Sequence, residues 1–182
     1  QNSKLIMFGA ISGVNDNRKG FNLLKSALKN LEKHTITDRI EIVIFGGGDS
    51  VNYSELNFKI HKFNLIDDDR ILQKLYSAAD VMIVPSKMET FGLTALESIS
   101  CGTPVVAFEG TGLSDIVVHK KTGYLAKYLD EKDFLTGINW VINHSLKEKI
   151  DENSRKRAEN FFSNEVILDR YKKVYNNLLQ IN

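Results

Sequence analysis

Apolar residues in this chain gather in short runs separated by longer amphipathic stretches. Lys4 to Phe8, closed by Gly9, reads as a first strand, and Ile40 to Phe45, closed by Gly46, Gly47 and Gly48, as a second. Phe58 to Phe63 alternates apolar and polar, the pattern of a less buried strand. Val81–Val84 and Val105–Phe108 are unbroken apolar runs of strand length, and Tyr124–Ala126 follows the turn Thr122–Gly123. Between these runs the period changes. Leu23, Leu24, Ala27, Leu28 and Leu31 fall at helical spacing within Gly20–Lys33. Asp67, Asp68 and Asp69 precede Ile71, Leu72, Leu75 and Tyr76, where carboxylates cap a helix start. Leu93–Ser100 is one short helix, with Gly92 near its start and Gly102 just past its end. After the turn from Gly110 to Ser114, Asp115–Val118 reads as a short helix or an extended piece. Three helices follow, Glu131–Asn143, Lys147–Asn160 and Ser163–Leu179. The last carries an apolar stripe of Val166, Ile167, Tyr171, Val174 and Leu178. This alternation predicts an α/β fold, a doubly wound parallel sheet of about six strands. No repeat or linker interrupts it, so residues 1–182 read as one domain.

The stretch from Pro85 to Pro104 organises the rest, because it lies between two buried strands and encloses a helix. Ligands of open α/β sheets collect beyond the carboxyl ends of the strands, where helix N-termini point. The free N–H groups around Phe91, Gly92, Leu93 and Thr94 form an anion site, and Gly92 permits close approach to the backbone. Glu97, about one turn into the helix, can accept hydrogen bonds from a vicinal diol such as a ribose. Glu89 lies in the loop before it. A nucleoside diphosphate offers a diol and an anion at about that separation.

Composition narrows this picture more than it directs it. Hydrophobic residues make up 42% of the chain, enough for one large core, and the net charge of +1 provides no field for nucleic acid. A single cysteine, Cys101, excludes an internal disulfide, fits a reducing compartment and reads as core. His34, His61, His119 and His144 show no metal-ligand spacing, so neither a metal nor a cofactor is expected. No apolar run has transmembrane length and no signal peptide is visible. The chain begins at Gln1, inside a strand-like segment, as a piece of a longer protein would.

Pro85, Ser86, Glu89, Phe91, Gly92, Leu96, Glu97, Gly102, Pro104, Val105 and Val106 resemble, in order and spacing, the donor-binding signature of retaining glycosyltransferases of GT-B architecture, especially family 4. That signature is spelled like P-S-x-x-E-x-F-G-x-x-x-L-E-x-x-x-x-G-x-P-V-V. The resemblance covers nearly the whole chain. It implies the carboxyl-terminal, Rossmann-like half of such an enzyme, holding a nucleotide-diphosphate sugar as donor substrate. It also implies a sugar or lipid-linked acceptor bound by an amino-terminal half that is absent here. Surface polysaccharide or glycolipid synthesis is the expected setting, in the cytoplasm or peripheral at the inner membrane face. The isolated chain is expected to be inactive. Within the resemblance Glu89 lies by the donor sugar, Glu97 on the ribose, and Gly47 and Phe63 near the nucleotide.

Arg18 and Lys19 precede the first long helix, where two cations suit a diphosphate leaving group. Lys19 matches a Lys-Gly of the family. The family's arginine after the first strand is replaced by Ala10, and Arg18 is the candidate substitute. Thr111–Asp115 resembles a family segment spelled G-G-x-x-E, with Asp115 for the usual glutamate; a helix cap is the other reading. Two rivals stand beside the transferase: a non-catalytic Rossmann-like nucleotide-binding module, and a glycoside hydrolase using both glutamates. The hydrolase requires the carboxyls about 5–5.5 Å or 6.5–9.5 Å apart across one sugar.

Overall fold

Successive residues of a strand point to opposite faces of its sheet, and in this protein both faces are covered. The computed structural model describes residues 3–9, 16–32, 39–46 and 55–179. Six parallel strands, β1 (Lys4–Gly9), β2 (Ile40–Phe45), β3 (Lys59–Lys62), β4 (Val81–Val84), β5 (Val105–Phe108) and β6 (Gly123–Ala126), lie in the order β3-β2-β1-β4-β5-β6. The helices are α1 (Phe21–Glu32), α2 (Asp69–Ala78), α3 (Leu93–Ser100), α4 (Leu113–Ile116), α5 (Glu131–Ile142), α6 (Lys147–Phe162) and α7 (Asn164–Leu179). The doubly wound sheet expected from the alternation is therefore present.

Ile6, Phe8, Ile42, Ile44, Val81, Ile83, Val106 and Phe108 face α1 and α5, and meet Leu24, Leu28, Phe134 and Ile138. Met7, Val43, Met82, Val84, Val105 and Ala107 face the other way, onto Tyr76, Ala95, Ile99, Leu113 and Ala158. Burying a side chain such as Leu24 or Ile83 contributes roughly 1.5–3 kcal/mol, so the two layers supply the main cohesion of the fold.

Strand order reverses between β1 and β4, paired in the register Ile6↔Val81, Met7↔Met82 and Phe8↔Ile83. At such a switch point the chain leaves the two strands in opposite directions and a crevice opens above them. The loops bearing Lys19 and Glu89 leave these two strands.

Several boundaries differ from the sequence reading for local reasons. α4 starts at Leu113, inside the expected turn, because Leu113 and Ile116 are both fully buried. β3 is shorter than Phe58–Phe63, since only Lys59–Lys62 matches the register of β2. α6 runs on to Phe162, with Ser163 as its cap, so α7 begins at Asn164. Cys101 is half-buried rather than core, because α3 ends there at the mouth of a pocket. The stripe of α7 has no buried residue; Leu168, Tyr171, Val174, Tyr175 and Leu178 stand in solvent.

Candidate functional site

Four loops at the carboxyl edge of the sheet are tied into one wall. After β1, Asp16 caps a single 3₁₀ turn, Asn17–Lys19, by accepting the Arg18 N–H at 2.9 Å. The turn ends in Gly20, whose φ of 73° lies in the left-handed region. A Cβ at Gly20 would stand 1.9 Å from the Pro85 carbonyl oxygen, so the loops after β1 and β4 touch backbone to backbone. The Lys87 N–H donates to the Arg18 carbonyl at 2.8 Å, and Lys87 Nζ donates to Asn17 Oδ1 at 2.9 Å. From the loop after β5, the Gly112 N–H donates to the Glu89 carbonyl at 2.8 Å. The Tyr128 hydroxyl, beyond β6, donates to the Lys87 carbonyl at 3.0 Å.

These loops line a cavity of about 830 Å³ bounded by Asp16, Arg18, Lys19, Lys87, Met88, Glu89, Thr90, Gly110, Thr111 and Tyr128. Lys19 Nζ meets Glu89 Oε2 at 2.8 Å, with 29% and 16% of the side chains exposed. Arg18 turns back onto Asp16 instead, through Nε at 3.1 Å and Nη2 at 2.9 Å, and its guanidinium holds the Asp16 carboxyl below its ordinary value. Each cation expected for a diphosphate thus already has a carboxylate partner. Lys87 adds a third cation to the wall, leaving an excess of one positive charge over Asp16 and Glu89.

Beside this cavity α3 begins at Gly92, at φ 99°, with no side chain capping it. Ala95 is the first residue whose N–H returns to the Gly92 carbonyl, at 3.0 Å, so the preceding donors stay outside the helical ladder. Phe91 itself turns inward and packs edge-on against Phe162, with ring centroids 5.9 Å apart. The turn after α3 is fastened by two buried hydroxyls: Ser98 Oγ donates to the Thr103 carbonyl, and Thr103 Oγ1 to the Tyr76 carbonyl.

Glu97 lines a second pocket, of about 380 Å³, between α2 and α3, with Asp69, Leu72, Gln73, Tyr76, Leu96, Ser100 and Cys101. The Tyr76 hydroxyl donates to Glu97 Oε2 at 2.8 Å. Solvent reaches Glu97 through the pocket mouth, yet packed protein around the carboxyl raises its pKa, against the lowering effect of Tyr76. Glu89 and Glu97 line separate pockets. Among the described residues no group of His, Cys, Asp and Glu is placed to hold a metal ion, and no helix is long and apolar enough to cross a membrane.

Residues 10–157 match the family model of glycosyl transferases group 1. The chain belongs to that family. An uncharacterised glycosyltransferase of Methanocaldococcus jannaschii is 30% identical over 161 residues, 84% of this chain and 40% of the relative. Sucrose-phosphate synthase from Thermosynechococcus elongatus superposes with a TM-score of 0.79 at 26% identity, over 99% of this chain and 46% of that one. Anabaena HepE, solved in complex with UDP and glucose, shares the fold with a TM-score of 0.75 at 20% identity, over 97% and 49% of the two chains. This group 1 glycosyltransferase chain spans less than half the length of each of these proteins.

The group 1 fold brings Arg18, Lys19 and Glu89 to one cavity and places Glu97 in the neighbouring pocket. Gly92, Leu93 and Thr94 form the start of the helix between them. Phe63, at the end of β3, is 39% exposed and lines neither pocket. Gly47 and Ala10 lie outside the described residues. Asp115 sits in the first turn of α4, and its segment reaches the cavity through Thr111 and Gly110 instead. Sequence reasoning missed Asp16, Lys87, Tyr128 and Tyr76. Lys87 lies at an unspecified position of the signature, and Asp16 carried the one visible signal, an aspartate placed to cap the turn before Gly20.

Proposed function

We propose that this chain is the donor-binding half of a retaining GT-B glycosyltransferase of family 4, moving a sugar from a nucleotide-diphosphate sugar to an acceptor hydroxyl. The Lys19–Glu89 pair beside the uncapped start of α3 carries the reading. Helix N–H groups and Lys19 suit the diphosphate, and Glu97 suits the ribose. A diphosphate arriving at α3 competes with Glu89 for Lys19, freeing the Glu89 carboxylate to face the donor sugar. The bond from the anomeric carbon to phosphate oxygen then breaks, and a bond to the acceptor oxygen forms on the same face. The acceptor proton passes to the leaving diphosphate. No metal or cofactor is assigned to these steps. The acceptor is a sugar or lipid-linked sugar, as surface polysaccharide or glycolipid synthesis requires. It is held by a second, amino-terminal half in a protein located in the cytoplasm or at the inner membrane face.

Titration calorimetry with UDP, GDP, ADP and the corresponding nucleosides tests this. One diphosphate is expected to bind, and Lys19→Met to weaken it far more than its nucleoside. High salt should mimic part of that loss. Equal weakening of both ligands, or binding of none, overturns the assignment.

A further inference from the structure

We propose that Tyr76 is the positioning residue for Glu97, holding one carboxylate oxygen so that the other is presented to a nucleotide ribose. The inference rests on the donor-binding reading above. Tyr76 is the one buried residue of α2, with 1% of its surface exposed. Its ring stands edge-on to Phe45, centroids 5.8 Å apart, and its carbonyl accepts the Thr103 hydroxyl at 2.6 Å. The ring therefore has little freedom, and its hydroxyl arrives at Glu97 Oε2 from a fixed direction. A phenylalanine would fill the same core space. The hydroxyl is what packing does not explain.

A glutamate on an open helix face samples many rotamers, and a ligand that orders it must oppose that side-chain entropy. The Tyr76 bond does that ordering in advance. It also acts on charge. Burial pushes the Tyr76 phenol upward, so it remains a donor at working pH. The groups facing Glu97 are Asp69 and Tyr76 from α2 and Cys101 from the end of α3. Arg155 of α6 donates to the Ser100 carbonyl and lowers the Cys101 thiol by its charge. Burial and Asp69 both favour the protonated carboxyl, and Tyr76 opposes them. Removing the hydroxyl leaves Glu97 less ordered and harder to ionise, and only the ionised form is a pure acceptor for a diol.

The test is Tyr76→Phe in the full chain, read in two ways. Carbon NMR follows the titration of the Glu97 carboxyl without ligand, with Glu97→Gln identifying the signal; its midpoint is expected to move up in Tyr76→Phe. Calorimetry then compares UDP with 2′,3′-dideoxy-UDP. UDP affinity is expected to fall about tenfold, its acid limb to move to higher pH, and the dideoxy analogue to bind as before. In the Glu97→Gln background Tyr76→Phe should have no further effect. If Tyr76→Phe does not fold, Glu97→Asp withdraws the carboxylate from the phenol while keeping its charge, and the same loss of UDP is expected. An unchanged midpoint and an unchanged ratio of the two ligands overturn the proposal. Equal binding of UDP by the parent and Glu97→Gln overturns the ribose assignment beneath it. Weak binding by Glu97→Gln beside parental binding by Tyr76→Phe removes only the role of Tyr76.

Discussion

At the scale of single residues the candidate site depends on backbone positions that tolerate no side chain. Gly92 sets the entry of α3 at φ 99°, and a Cβ there would stand 2.4 Å from Leu113 Cδ2, itself fully buried. Gly92→Ala is therefore expected to destabilise the protein by about 1–3 kcal/mol. Urea unfolding should show a lower midpoint with an unchanged slope; an unchanged midpoint would mean the loop can relax at no cost. The glycine was legible in the sequence, as were both glutamates and Lys19, because their order along the chain is itself a pattern. Their partners were not. The Lys19–Glu89 and Arg18–Asp16 pairs differ only in which carboxylate a basic side chain turns towards, and that depends on the meeting of two loops far apart in sequence. Phe63, expected near the nucleotide, follows the edge strand β3 and lines neither pocket.

At the scale of elements, strands were read closely because an apolar run buried on both faces leaves little ambiguity in period or length. α4 was not, since four residues are too few to show a helical period. β3 is the least buried strand, as its alternating pattern implied, and it lies at the sheet edge. Its hold on β2 is partly ionic: Glu41 meets Lys59 at 3.1 Å and His61 at 2.6 Å. Bonds from His61, then Lys59, lower the Glu41 carboxyl from 4.5 to about 2. A carboxyl with a depressed folded pKa stabilises above its unfolded value and loses that contribution as pH falls towards the folded one. The β3 amides should accordingly lose protection before those of β1 as pH drops from 4.5 to about 2, read by hydrogen exchange corrected for intrinsic rate. Simultaneous loss would show that the pairs do not hold this edge. α7 makes a different case. With no buried residue, it should exchange orders of magnitude faster than β1 and β4 in this chain. Protection equal to the central strands would mean that its stripe is covered in solution.

At the scale of the whole molecule, the chain spans less than half the length of the proteins it matches, and the proposed reaction needs a second wall. An acceptor hydroxyl must be held at near-attack distance with water excluded. The 182-residue chain is expected to bind donor nucleotide yet transfer no sugar, whereas a longer protein containing it should transfer. Transfer at equal rates from the same donor would overturn the two-half reading. The order of the strands has a kinetic consequence as well. The crevice lies at the carboxyl ends of β1 and β4, strands that are joined at their amino ends by Leu5 and Asp80, 75 residues apart in the chain. Closing so long a loop comes late and slowly in folding. Until it closes, the loops bearing Lys19 and Glu89 are separate pieces, and the proposed nucleotide site is not assembled. Bound nucleotide should therefore lengthen the lifetime of the native state while leaving the rate of return from the unfolded state as it was.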